Sequence, residues 1–329
     1  MKALVYTGPK SLAYQDRPDP VRADGNALIR VEHVGICGSD MHAWLGHDER
    51  RPAPLILGHE AAGTIIEGPG TGTRVTVNPL VSCGVCEACR AGKQNLCPHR
   101  QIISIPPREG AFAEYLTMPP GNLVTIPDHV PTAVAALAEP MACGWHAVRL
   151  GKTALDRALA DATCVVYGGG AIGLGAALVL RAHGAGQIHL AETNPDRRTS
   201  LAGMEHIRVF DPISERAPAT VHLVIDGVGL EATRAAASAV VAPGGVILHI
   251  GLGSAAGGLD VRRMTLQEIT FIGTYTYSAQ DFRDTAAAIF ADQLGDLKWP
   301  EIRPLADGAR AFADIHAGRA AAPKIVLTV

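Results

Sequence analysis

The densest set of reactive side chains in this sequence is a run of four cysteines. Cys83, Cys86, Cys89 and Cys97 follow the spacing C-x2-C-x2-C-x7-C in a chain with seven cysteines. In a chain without a recognisable secretory leader, clustered thiols are more often metal ligands than disulfides. Four thiolates complete a structural zinc site and leave no position for a substrate. We therefore predict a structural zinc. The alternatives are an iron–sulfur cluster, which Pro98 would suit, and disulfides.

A second set of residues has the chemistry of a catalytic metal site. A thiolate, an imidazole and one or two carboxylates form a donor set that suits zinc. A catalytic zinc keeps three protein ligands and one position for water or substrate. Each residue alone has an ordinary structural role, so the prediction depends on the combination. The candidates are Cys37, His59, Glu60 and Glu139, in the segments GICGSD, GHEAAG and AEPMAC.

A third signal is the fingerprint of a dinucleotide site. A β-branched run over 163–167 precedes Gly168-x-Gly170-x-x-Gly173, an apolar helix follows, and the next apolar run ends at Glu192. The glycines let the backbone approach a pyrophosphate at the helix N-terminus, and the acid binds a ribose diol. Because Glu192 would repel a 2′-phosphate, we predict NAD. NADP stays the alternative because Arg197 could accept that phosphate.

Composition excludes several other classes of function. The formal net charge is −3 and no basic run is present, so we expect neither nucleic-acid nor membrane binding. Two long uncharged windows, 162–180 and 235–259, contain several glycines and are typical of a buried strand–turn–helix. The N-terminal segment lacks the long apolar region of a signal peptide. We expect a cytoplasmic protein with a small-molecule substrate.

Taken in order, these segments resemble the zinc-dependent medium-chain dehydrogenases/reductases, and among them the sorbitol dehydrogenase-like polyol branch. The resemblance extends from MKALVY through GAFAEY, VIDGVG and GGVILHIGLG to the terminal KIVLTV. It implies an α/β protein with a GroES-like β-rich catalytic domain over 1–146, completed by 282–329. A Rossmann domain with a doubly wound parallel sheet would occupy 147–281, in agreement with the alternation of strands and helices there. The resemblance also implies a homo-oligomer, either a dimer or a tetramer.

The resemblance assigns roles to the metal-site residues. Cys37 and His59 would bind the catalytic zinc, with Glu60 as the usual third ligand. Glu139 would contact the bound water or alcohol, and which of the two acids is the ligand stays open. Asp40 would orient the histidine ligand, as zinc histidines generally require.

The implied reaction is hydride transfer between a secondary alcohol and NAD. Zinc would act as a Lewis acid that favours the alkoxide at near-neutral pH, and the nicotinamide would take the hydride. Ser39 and His42 would relay the proton to solvent. The substrate would be a polyol, a sugar acid or a diol. The cofactor contacts implied are Gly168, Gly170, Ile172, Gly173, Glu192, Arg197, Val228, Leu252 and Tyr275.

Two positions depart from the sorbitol dehydrogenase pattern. Ala43 stands where that pattern has a tyrosine, and Thr276 stands where it has an arginine. Both changes remove polar groups that would bind a polyhydroxy chain, so they argue against sorbitol itself. They also motivate an alternative function, a non-catalytic NAD(P)-binding zinc protein that acts as a redox sensor. The complete set of ligand residues favours the enzyme. A zinc-free quinone reductase is disfavoured because such relatives lack the cysteine lobe.

Overall fold

The computed structural model describes every residue from Met1 to Val329, and its contacts divide the chain into two compact units. The first unit comprises Met1–Glu139, Ser278–Ala320 and Lys324–Val329. The second comprises Pro140–Tyr277 and Ala321–Pro323. None of the helices has the length and apolar composition needed to cross a membrane.

The strands and helices are numbered along the chain. The strands are β1 (Lys2–Gly8), β2 (Ser11–Asp16), β3 (Ala27–Gly35), β4 (Leu55–Ile56), β5 (Glu60–Glu67), β6 (Arg74–Val77), β7 (Leu80–Val81), β8 (Gln101–Ile102), β9 (Tyr115–Met118), β10 (Leu123–Thr125), β11 (Thr163–Tyr167), β12 (Gln187–Ala191), β13 (Ile207–Phe210), β14 (Val221–Asp226), β15 (Val241–His249), β16 (Thr270–Gly273), β17 (Glu301–Pro304) and β18 (Ile325–Thr328). The helices are α1 (Gly38–Trp44), α2 (Glu87–Arg90), α3 (Thr132–Ala135), α4 (Ala138–Ala154), α5 (Ala171–Ala182), α6 (Pro195–Leu201), α7 (Glu231–Val240), α8 (Val261–Leu266), α9 (Ala279–Phe290) and α10 (Gly308–His316).

The first unit is β-rich, as predicted. Its largest sheet has the order β10-β6-β5-β3-β18-β17, with β9 also paired to β3, and a smaller sheet has the order β2-β1-β4. The C-terminal strand β18 lies between β3 and β17, so it completes the sheet that β3 begins. The core contains the edge-to-face pair Phe112 and Phe312, whose ring centroids lie 6.0 Å apart.

The second unit has a six-stranded sheet of order β13-β12-β11-β14-β15-β16, in which every neighbouring pair is parallel. Its central strands β11 and β14 are almost entirely buried because both faces of the sheet are covered. The strand order reverses between β11 and β14, and dinucleotides bind at the carboxyl ends of strands at such a switch point. This is the predicted doubly wound arrangement, so the α/β fold prediction is confirmed.

Within the second unit, helix α4 packs closely against α5 at a glycine. A Cβ atom on Gly144 would lie 2.7 Å from the backbone nitrogen of Ala176, closer than side chains normally approach backbone. Alanine is ordinarily the better helix residue by about 1 kcal/mol. Here the close contact makes alanine destabilising, since neither backbone can move to accommodate a Cβ without separating the helices.

We predict that Gly144→Ala lowers the free energy of unfolding by about 1–2 kcal/mol through overpacking. The measurement is thermal and urea unfolding of the full chain. Gly121→Ala is the control, because a Cβ there meets no atom within 4 Å. An unfolding midpoint for Gly144→Ala that is unchanged or higher would show that the two helices accommodate the extra methyl group without loss of stability.

Candidate metal and cofactor sites

Three predicted metal ligands converge in the first unit. The ligand atoms of Cys37, His59 and Glu60 all lie within 4.8 Å of one another. Cys37 precedes α1 and follows β3, while Glu60 begins β5 and pairs with Gly35 of β3. The antiparallel pairing of β3 with β5 therefore brings two separate segments together at one point.

Asp40 connects these two segments. Its carboxylate accepts the N–H of Cys37 at 3.0 Å and the N–H of Gly58 at 3.2 Å. Its Oδ1 lies 3.4 Å from Nδ1 of His59, which suits the predicted orienting role. Complete burial disfavours the charge, but His59, Arg51 and the Cys37 N–H outweigh it and hold the pKa of Asp40 below its usual value.

His59 is buried beside two groups that favour its charged form. Burial acts to lower the pKa of His59, but Asp40 and the Cys37 thiol hold it well above the usual value. Metal ligands must be deprotonated, so a metal ion bound here displaces that proton. The groups around His59 thus stabilise a positive charge, which is the proton on His59 until a metal ion replaces it.

Lys324 is a site residue that the sequence analysis missed. Its Nζ donates to Oε1 of Glu60 at 2.6 Å and to the carbonyl oxygen of Ile36 at 2.8 Å. Burial acts to lower the pKa of Lys324, but Glu60, Cys37 and Glu139 raise it above the usual value. The only sequence signal is a lone lysine beside the apolar run IVLTV, which is equally typical of the start of a surface strand.

The second carboxylate oxygen of Glu60 indicates what else the site holds. Oε2 is buried and has no hydrogen-bond partner, an arrangement that is costly for an ionised group. A Cβ on Gly35 would lie 1.9 Å from this oxygen, so the glycine provides the space it occupies. A cation among Cys37, His59 and Glu60 would satisfy it. The thiolate, imidazole and carboxylate fit zinc.

The remaining predicted active-site residues of the first unit lie on two helices. Glu139 is buried in the first turn of α4 and lies outside the group of atoms within 4.8 Å of one another. Ser39 and His42 are half-buried on α1, three residues apart and therefore on the same face. Their proton-relay role stays a prediction.

Arg51 supports the backbone of α1 and was also missed. This buried arginine donates to the carbonyl oxygen of Ser39 at 2.9 Å and to that of Ser104 at 2.9 Å. It also pairs with Asp48 at 3.1 Å. The hydrogen bond to Ser39 anchors the start of α1, where the relay residues lie, and the other two contacts hold the arginine in place.

The four cysteines of the predicted lobe also converge. Their sulfur atoms all lie within 4.8 Å of one another, and Cys83 Sγ is 3.9 Å from Cys89 Sγ and 3.5 Å from Cys97 Sγ. Sulfurs at about 2.3 Å from one tetrahedral zinc are about 3.8 Å apart, whereas a disulfide requires about 2.05 Å. The N–H groups of Val85 and Cys86 lower the pKa of Cys83 to about 6, which favours its thiolate. The Cys89 N–H acts to lower the pKa of Cys86, but burial and the neighbouring thiols raise it to about 11. This spacing fits one metal ion and leaves no room for an iron–sulfur cluster.

The predicted glycine fingerprint forms the turn from β11 to α5 in the second unit. Gly168 has φ of +97°, and Gly170 is the N-cap residue of α5. A Cβ on Gly173 would lie 1.9 Å from the carbonyl oxygen of Gly168, so no larger residue fits. The turn presents the N-terminus of α5, the usual binding point for a pyrophosphate.

Glu192 follows β12 and is held by this turn. Its carboxylate accepts the N–H of Gly169 at 2.8 Å and the N–H of Asn194 at 2.7 Å, and Arg197 Nη1 lies 3.5 Å from it. Arg198 donates to the carbonyl oxygens of Glu192 and Thr193 and lies 3.3 Å from Asp211.

The other predicted cofactor contacts lie at the same edge of the sheet. Ile172 is in the first turn of α5, and Val228 follows β14 with its side chain beside Gly168. Leu252 follows β15 with 73% of its surface exposed, and Tyr275 follows β16. All four are thus at the carboxyl ends of the strands, although cofactor contact itself stays a prediction.

We predict that Cys97→Ser removes one metal ion per chain and lowers the melting temperature, because three thiolates hold zinc less tightly than four. Metal analysis of purified protein and thermal unfolding are the measurements. Cys143→Ser is the control, since Cys143 belongs to neither group of ligands. An unchanged metal content in Cys97→Ser would contradict the lobe assignment.

We predict that Lys324→Met destabilises chelator-treated protein by about 3–5 kcal/mol, because it leaves the Glu60 carboxylate buried without its partner. The double variant Lys324→Met with Glu60→Gln should recover much of this loss, since the buried charge is gone. Lys298→Met, which breaks an exposed pair with Asp296, is the matched control and should unfold like the wild type. Additive losses in the double variant would show that the pair is not coupled.

Comparisons with known proteins agree with this organisation. The family model for the alcohol dehydrogenase GroES-like domain matches residues 23–128, and the model for zinc-binding dehydrogenase matches residues 171–292. An L-galactonate-5-dehydrogenase from Escherichia coli (strain K12) is 33% identical over 298 residues, covering 86% of this chain and 85% of that protein. A sorbitol dehydrogenase from Bacillus subtilis (strain 168) is 34% identical over 297 residues, covering 84% of this chain and 83% of that protein.

A solved structure shows the same fold over the whole chain. The L-idonate 5-dehydrogenase from Escherichia coli (str. K-12 substr. MG1655) has a TM-score of 0.87 and 22% identity, covering 100% of this chain and 98% of that one. At this identity the likeness shows the fold alone.

Proposed function

Because this chain belongs to the zinc-binding alcohol dehydrogenase family, we propose that it oxidises a secondary alcohol of the polyol, sugar-acid or diol class with NAD as hydride acceptor. Family membership confirms the predicted oxidoreductase, and no finding supports the redox-sensor alternative. The observation that carries the proposal is the group of Cys37, His59 and Glu60, with its buried, unsatisfied carboxylate oxygen.

In this proposal the first unit holds two zinc ions with different tasks. Cys37, His59 and Glu60 would hold the catalytic ion, and the four cysteines of the lobe would hold the structural one. When bound, the catalytic zinc supplies Lewis acidity toward the alcohol oxygen and NAD supplies the hydride acceptor. Asp40 orients His59, and Lys324 holds one oxygen of Glu60, so the ligands are positioned before the ion arrives.

Ser39 and His42 are the groups proposed to take the alcohol proton away. They lie on α1, two and five residues after Cys37, and their spacing sets both side chains on one face of the helix. Arg51 fixes the Ser39 backbone through a 2.9 Å hydrogen bond. An imidazole accepts and releases protons near neutral pH, which suits the end of a relay to solvent.

The surroundings of Glu192 support NAD over NADP. Two backbone N–H groups hold its carboxylate beside the glycine turn, where it can accept from a ribose diol and would repel a 2′-phosphate. Arg198 is held by two carbonyl oxygens and Asp211, and Arg197 lies beside the acid itself. Neither arginine is thus arranged primarily for a phosphate.

Two relatives support the substrate class, and two residues support a substrate other than sorbitol. Proteins named as galactonate and sorbitol dehydrogenases share about a third of their residues with this chain. Ala43 is buried and offers no polar group. Thr276 has a left-handed backbone, with φ of +46°, and a buried hydroxyl without a hydrogen-bond partner. A diol or another short secondary alcohol therefore suits these two positions better than sorbitol.

Assembly and location are part of the same proposal. Strand β16 is an edge strand, and exposed apolar side chains on the second unit suit a homo-oligomer. All seven cysteines are free, as in proteins of a reducing compartment such as the cytoplasm. These exposed apolar residues include Ile213, Val261 and Leu266.

We predict that zinc-loaded protein reduces NAD with at least one of L-galactonate, sorbitol or 2,3-butanediol, measured by reduced-nicotinamide absorbance, and that NADP is a poorer acceptor. Cys37→Ser should lower kcat/KM by more than about a hundredfold, since even residues that only support metal ligands cost 10–100-fold. Cys143→Ser is the control and should keep its activity. Full activity of Cys37→Ser, or of metal-free protein, would contradict the proposed site.

A further inference from the structure

Arg234 in α7 is a buried cation whose partners are all neutral. Only 5% of its surface is exposed. Its guanidinium donates to the carbonyl oxygens of Gly229 at 2.9 Å, Ser254 at 3.0 Å and Gly257 at 2.6 Å, to that of Ala256, and to the Ser254 hydroxyl at 2.9 Å. A buried charge without a counter-ion is stable only when such hydrogen bonds replace water. The planar guanidinium with its five N–H donors is the side chain that can satisfy so many acceptors.

The acceptors belong to two loops that we call the paired loops, residues 227–230 after β14 and residues 251–258 after β15. The loops are also joined directly, because the N–H of Gly253 donates to Val228 at 3.1 Å and the N–H of Ser254 donates to Gly229 at 2.8 Å. A Cβ on Gly229 would lie 2.0 Å from the carbonyl oxygen of Gly251. The paired loops are therefore in close backbone contact at the edge of the sheet where dinucleotides bind.

Apart from Arg234 and the two backbone hydrogen bonds to Val228 and Gly229, the longer loop has little to hold it. Its sequence, GLGSAAGG, contains four glycines and no proline, a composition with high conformational entropy when free. Residues 252–257 are exposed, so few side-chain contacts restrain them. Arg234 binds the carbonyl oxygens of this exposed segment from the buried side.

We propose that Arg234 is a positioning residue for the cofactor, which it serves by keeping the paired loops in one arrangement. The inference rests on the proposed function, because it takes NAD as the ligand and Val228 and Leu252 as contacts. Arg234 acts through the loops and does not touch the reacting atoms. Loops that are already ordered before NAD binds lose no conformational entropy when it binds. The affinity for NAD is therefore higher than it would be with mobile loops.

The test compares three variants of the full chain. Arg234→Met removes the charge and every donor, and Arg234→Lys keeps the charge but cannot reach all the acceptors. Arg263→Met is the matched control, because Arg263 in α8 also bonds carbonyl oxygens, those of Ser238 and Val241, and lies outside the paired loops.

Calorimetric titration with NAD, without substrate, measures affinity. We expect the Kd to rise about tenfold in Arg234→Met, which corresponds to about a tenth of the molecules having ordered loops. The rise should be smaller in Arg234→Lys and absent in Arg263→Met. In turnover, the KM for NAD should rise while kcat stays within about twofold. A Kd within twofold of the wild type in Arg234→Met overturns the proposal, and if that variant fails to fold, the same comparison with Arg234→Lys decides.

Hydrogen exchange separates this inference from the proposed function. The amides of Gly253 and Ser254 should exchange faster in Arg234→Met but not in Arg263→Met, and unchanged rates overturn the positioning role. Wild-type protein that binds neither NAD nor NADP would overturn the proposed function. Faster amide exchange in Arg234→Met would even then support the role of Arg234 in ordering the loops.

Discussion

A buried negative charge at Glu60 is the constraint on which the proposed metal site depends. The Glu60 carboxylate has no exposed surface, and an ionised carboxylate is stable in such a place only when cations and hydrogen bonds replace water. Lys324 supplies one cation at 2.6 Å from Oε1. The other oxygen has no hydrogen-bond partner among the protein's own groups, and the proposed metal ion would complete its surroundings.

The topology of the first unit follows from the same requirement. Gly35 of β3 pairs with Glu60 of β5 on one side and with Val326 of β18 on the other. The return of the C-terminal strand therefore sets Lys324 beside the acid, and the missing side chain of Gly35 leaves space for its carboxylate. The strand order, Gly35 and Lys324 thus together position the Glu60 carboxylate. Residues near the C-terminus therefore contribute to the proposed metal site.

The sequence predicted the features whose chemistry is local and missed those that depend on distant partners. The glycine turn was predictable because the close approach of Gly173 to Gly168 is a property of one short motif. The cysteine lobe was predictable because its four cysteines lie within fifteen residues. Lys324 could not be predicted, since its partner lies 264 residues away and a lone lysine beside a strand is common. Arg234 was missed because it binds backbone carbonyl oxygens, which every residue possesses.

The proposed catalytic site requires Cys37, His59 and Glu60 to hold a second zinc ion, distinct from that of the cysteine lobe. X-ray absorption at the zinc edge of fully loaded wild-type protein tests it most directly. We expect two zinc ions per chain and mixed ligands, with nitrogen and oxygen at about 2.0–2.1 Å besides sulfur at about 2.3 Å. One zinc per chain with a shell of sulfur alone would contradict it.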